Sequence, residues 1–172
     1  MGYTTEFEGE IFIDPPLNDD EISLLKDLSE TRRMDRTKGP LFVRGTGFAG
    51  QGRDEDILDY NDPHPDQPGL WCQWIPGRLG DYLEWNGAEK FYFAEEWMKY
   101  IIHNLLAPSA RPYIDAHIDE DPRLASFTAN HTLNGEIEAQ GEDPDDRWKL
   151  IVVDNKVMVS RAVVSYSEPT EV

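Results

Sequence analysis

The residues with the most evident chemical potential are Gly45-Thr46-Gly47-Phe48-Ala49-Gly50, which match G-x-G-x-x-G and follow a predicted strand. Glycines at that spacing let backbone amides approach and cradle an anion. The charge around them agrees: Lys26 to Arg53 holds seven basic residues against three acidic ones, in a chain that is otherwise strongly acidic. The candidate ligand-binding set is therefore Arg32, Arg33, Arg44, Gly45, Gly47, Gly50 and Arg53, with Trp71 and Trp74 as ring surfaces. Such a set suits a nucleotide or another phosphorylated small ligand. A dinucleotide fingerprint, however, needs a helix directly after the glycines. Here Gln51-Gly52-Arg53-Asp54 follows instead, so a tight irregular loop that uses Gly for backbone reasons is the competing reading.

Other chemistry is thinner. His64, His103, His117 and His131 show no H-E-x-x-H spacing, and His131 reads as a satisfied core or rim histidine in a strand. Asp115-x-His117-x-Asp119-x-Asp121 resembles the start of a calcium loop, but Glu120 and Ser126 stand where Gly and Glu are required. Glu142, Asp143, Asp145 and Asp146 read as a solvated loop. Cys72, the single cysteine, lies between tryptophans and reads as buried and unreactive. No G-x-S-x-G or other standard catalytic signature appears. The reading leans away from an enzyme and assigns no catalytic residue, metal or cofactor.

The whole chain bears on partners. It has 172 residues, 39% of them apolar and 11% aromatic, enough for one folded domain. Its formal charge of −18 repels nucleic-acid phosphate, so no direct nucleic-acid binding is expected. The acidity is either a solvated, self-repelling surface or a decoy in which carboxylates stand where phosphates would. No apolar run is long enough for a membrane helix, and MGYTTEFEGE lacks the features of a signal peptide. The expected setting is a soluble cytoplasmic protein without a membrane partner.

The elements that must position these residues are legible in outline. Thr4 to Ile13 alternates as a half-buried strand that ends at Asp14-Pro15-Pro16. Asn18 and Glu21 form a capping box, with Leu17 and Ile22 as a staple, for a helix running to Thr31 or Arg33. Arg32 and Arg33 would favour the dipole at its C-terminal end. Leu41 to Arg44 is read as a short strand, and 44–70 as a long, ordered, irregular loop. Leu70–Ile75 and Tyr82–Trp85 form a hairpin, and a second helix covers Phe91 to Leu106. Ser109 to Pro122 is a polar connection. Phe127–Leu133 and Gly135–Gln140 pair through Asn134-Gly135, and Trp148–Val153 pairs with Lys156–Val164 through Asp154-Asn155. Residues 165–172 form a frayed tail. The order predicts a single α+β domain with a mostly antiparallel sheet and two helices on one face, ferredoxin-like in its β-α-β-β-α-β beginning.

Taken together, RRMDR, the GQ-x(7)-DYN-x-P run, QPGLWCQW, EWNGAEKFY and NGEIEAQGEDPDD resemble a family of small acidic proteins from bacteriophages and actinobacteria, one with no assigned activity. The resemblance covers nearly the whole chain and transfers no catalytic residues. It implies a phage or mobile-element setting. The leading expectation is a non-enzymatic binding protein that modulates a host protein through an acidic or Trp-rich surface. The alternative is the phosphorylated-ligand protein described above.

Overall fold

Strand β1 (Thr5–Asp14) is the axis of the fold, because it pairs along both edges. Its alternation puts Phe7, Ile11 and Ile13 on a buried face and Glu6, Glu8 and Phe12 on an exposed one. In the computed structural model, which describes residues 2–44 and 54–172, β1 is followed by α1 (Asp19–Glu30), β2 (Met34–Arg36), β3 (Ile57–Pro63), β4 (Trp74–Pro76) and β5 (Tyr82–Trp85). Then come α2 (Ala94–Ile101), α3 (Arg111–Ala116), β6 (Thr132–Gly141), β7 (Arg147–Val153) and β8 (Lys156–Arg161). The main sheet has the order β4-β5-β1-β6-β7-β8 and every pairing in it is antiparallel. The α+β class and the antiparallel sheet are as the sequence leads one to expect. A split βαβ would place parallel strands side by side, and none of these pairings does so. Strands β2 and β3 form a separate, irregular two-stranded sheet.

The face carrying Phe7 and Ile11 also carries Leu83, Leu133, Ile137, Leu150 and Val152, and it joins Leu24, Leu25, Leu28, Trp97, Ile101 and Leu105 of the helices in one buried cluster. Phe7 lies edge-on to Trp74, Trp85, Phe91 and Trp148, with ring centroids 5.3–5.7 Å apart. That arrangement suits the ring quadrupoles. Helix α1 starts with the full capping box: the Asn18 side chain accepts from Glu21 N, and Glu21 accepts from Asn18 N. It ends at Glu30, so Arg32 and Arg33 lie beyond its last turn. Helix α2 passes into one π turn at Ile102–Leu106 before Pro108. Among the described residues no helix is long and apolar enough to cross a membrane.

Several local expectations change. Residues 41–44 form no strand; Leu41 and Val43 are core residues, and β2 and β3 supply the small sheet instead. Strand β3 therefore lies inside the stretch expected to be irregular. The 109–122 connection contains α3, because Ala110 and Ile114 find places in the core. His131 precedes β6 rather than lying in a strand. Finally, Asn134-Gly135 is no hairpin: β6 runs through it, and Gly135 pairs with Ile11.

Gly135 answers to a close approach instead. A Cβ there would lie 2.5 Å from the Glu10 carbonyl oxygen at φ +154°. Gly9, on the partner strand, stands in the same relation to Glu136. Gly135→Ala is expected to cost roughly 1–3 kcal/mol, read as a lowered urea midpoint with unchanged slope. The true hairpin turn is Asp154-Asn155, with both residues left-handed at φ 47° and 67°.

Candidate functional site

Of the residues that the sequence singles out, Arg32 and Trp71 are brought together. They line a cleft of about 820 Å³ where the end of α1, the end of β3, the 68–73 segment and the approach to α2 meet. Asp62, Asn86, Glu89, Lys90, Tyr92 and Phe93 line it as well. That volume lies in the range of small-molecule sites. Tyr92 and Phe93 are half exposed, at 49% and 55%, although by sequence both fall inside the second helix. Phe93 is instead the left-handed residue that opens α2, at φ 59°, and Lys90 is left-handed at φ 61°. Bulky residues reach that conformation only when their surroundings impose it, and such residues gather at functional sites.

The Arg32 Nε donates to the Tyr60 carbonyl at 3.2 Å, which ties the guanidinium to β3. Its other N–H groups have no partner among the described residues. Gly69 forms part of the lining; a Cβ on it would come within 3.1 Å of the Phe93 ring. Behind Gly69, the Trp97 indole N–H is buried without an acceptor among the described residues.

The remaining candidates lie elsewhere. Arg33 is buried; it donates to the carbonyls of Thr31, Pro40 and Phe42 and to the Thr31 hydroxyl. Burial, partly offset by Tyr100, lowers the Arg33 pKa to about 10. Trp74 is fully buried, its indole N–H held by the Ala94 carbonyl at 2.8 Å. Arg44 is exposed near Asp121 and does not line the cleft. Gly45, Gly47, Gly50 and Arg53 lie outside the described residues. Cys72 is buried, and burial pushes its thiol up to about 12, as its tryptophan neighbours suggest.

The acidic motifs are largely internally paired. Asp121 binds Arg123, and Glu120 binds His117 and the Leu41 amide. Among the described residues no three His, Cys, Asp or Glu side chains converge as a metal site would need.

A second surface has an unusual charge pattern. On the open face of the main sheet, Glu8 stands directly opposite Glu138, and Glu10 directly opposite Glu136. Glu6 and Glu84 flank them, with exposed Phe12 between β5 and β6. Lys149 on β7 meets both Glu136 and Glu138. Like charges directly opposite each other destabilise a sheet.

The aromatic cleft could not be read from the sequence, because Lys90, Tyr92 and Phe93 carry no signal for a left-handed backbone. In the sequence, EWNGAEKFY enters through the family resemblance and the start of the second helix. No family model, curated protein or solved structure matches the chain.

Proposed function

We propose that the chain is a non-catalytic binding protein, a modulator of a host protein in a phage or phage-like setting, that docks a basic protein surface on its open sheet face. The observation that carries this reading is the pair of glutamate–glutamate oppositions between β1 and β6. A sheet selected only for stability would place lysine or threonine opposite glutamate. Lys149 offsets the charge of Glu136 and Glu138 in part, but Glu8 and Glu10 have no cation in contact among the described residues; a cationic partner would offset that remaining repulsion and gain long-range steering. Exposed Phe12, at 59%, supplies an apolar anchor within the field of charge. The phage setting comes from the sequence resemblance alone.

The test compares three proteins in capture from a host lysate with crosslinking: the native chain, Glu8→Lys/Glu10→Lys, and Glu168→Lys/Glu171→Lys. The last matches the change in net charge in the exposed tail. The strand variant is expected to lose a partner that the tail variant keeps, and to melt slightly higher because each new lysine faces a glutamate. Retention of the same partner by the strand variant would overturn the reading.

A further inference from the structure

We propose that the cleft between β3 and the start of α2 is a separate small-ligand site, built for a mononucleotide-sized aromatic anion. Three features converge on that class. The first is ring surface: Trp71, Tyr92 and Phe93 line the same space, and two of them are half exposed. Three aromatic rings gathered in one cleft offer flat surface on which a planar group can stack.

The second is charge. Arg32 and Lys90 both line the cleft, and neither lies within ion-pair distance of a carboxylate among the described residues. Asp62 and Glu89 line the same cleft and leave both cations unneutralised. Arg32 is held by a single bond to Tyr60, so its planar fork remains free for bidentate contact with phosphate or carboxylate. Asp62 and Glu89 then serve as acceptors for N–H donors on a base edge.

The third feature is preorganisation. Two left-handed residues, Lys90 and Phe93, lie on the cleft wall. Strain of this kind is maintained only where surrounding structure imposes it, and its placement at the cleft ties it to that site. The glycine-rich stretch plays no part in this assignment. The site is also independent of the glutamate face, which lies on the other side of the sheet from the helices.

The experiment is isothermal titration of the full chain with AMP, GMP, CMP and UMP, each to about 1 mM. At least one is expected to bind with a Kd below that concentration. Binding should disappear in Trp71→Ala, persist in Trp71→Phe, and weaken about tenfold in Arg32→Gln, the loss of one charge-assisted contact. The corresponding nucleoside, lacking phosphate, should weaken by a similar factor. Circular dichroism confirms that each variant is folded, and capture by the glutamate face should be unchanged in Arg32→Gln. No binding of any of the four nucleotides to the folded native chain would overturn the assignment. So would binding that survives both Trp71→Ala and Arg32→Gln.

Discussion

Arg33→Ala is expected to destabilise the protein by about 3–5 kcal/mol, through a combination of orphaned carbonyls and a cavity. The Arg33 guanidinium is the shared donor for three backbone carbonyls, those of Thr31, Pro40 and Phe42. These belong to the segment between α1 and the glycine-rich stretch, where 41–44 form no ladder of their own. Of the three, the Pro40 carbonyl keeps a second donor, the Gln67 amide at 2.8 Å. The Thr31 and Phe42 carbonyls are left to whatever water can reach them. A chain of this size should lose roughly 10 °C in Tm. Arg33→Lys is expected to recover little, because one ammonium cannot span acceptors that a planar fork reaches together. Arg33→Met fills the volume and removes a desolvated cation, so it should fall between native and Ala. If Arg33→Ala melted within 2 °C of the native chain, roughly the effect of a surface change, the bracing role would be refuted.

That result bears on how much of the molecule could be read in advance. The β1 alternation and the α1 capping box are visible because both are local: period two and a side chain three residues from its partner need no tertiary context. The Asp154-Asn155 turn was equally plain. Asn134-Gly135 was misleading for a physical reason. A glycine that lets two strands approach closely is indistinguishable in sequence from one that lets the chain turn. Only the register against Glu10 and Ile11 separates the two.

The site shows the same limit more sharply. Arg32 and Arg33 are neighbours in a basic run, so the sequence gives them one meaning. The end of α1 at Glu30 divides them, sending one to a cleft and the other into the interior. Trp71 and Trp74 divide likewise, since three residues along an extended segment reverse the side-chain direction. The glutamates of β1 were legible as a wet face, but their opposition to Glu136 and Glu138 depends on strand pairing across more than 120 residues. The function proposed for either surface thus rests on juxtapositions that no local pattern records.

Glu21 and His131 form the second contact whose loss should be large. Both are buried, at 0% and 1% exposure. The His131 Nδ1 lies 2.6 Å from the Pro15 carbonyl, which can only accept, so that nitrogen carries a proton. Its Nε2 lies 3.1 Å from Glu21 Oε2, and the Thr128 amide and hydroxyl donate to Oε1. The pair thus joins the start of α1, the end of β1 and the entry to β6. Burial alone would lower the His131 pKa, but the bonds to Glu21 and Pro15 outweigh it and raise it above 6.5. For Glu21, burial acts upward, and the bonds from His131, Thr128 and Asn18 outweigh it and hold the carboxyl below 4.5. The signs follow by linkage. The histidine contribution is complete below pH 6.5 and is lost as pH rises through its raised folded value. The glutamate contribution is complete above pH 4.5 and is lost as pH falls through its lowered one. Both are therefore complete between those limits. There, His131→Ala should cost about 4 kcal/mol, the cost of leaving one buried partner alone. The gap between native and variant, measured by urea unfolding at several pH values, should narrow as pH rises through the raised folded value of His131, above which the neutral ring keeps its Pro15 bond and accepts from Thr128 instead. Glu21→Gln should lose stability and flatten the same profile, because it keeps the shape and removes the charge. A gap that does not narrow as pH rises above 6.5 would refute the charged pairing.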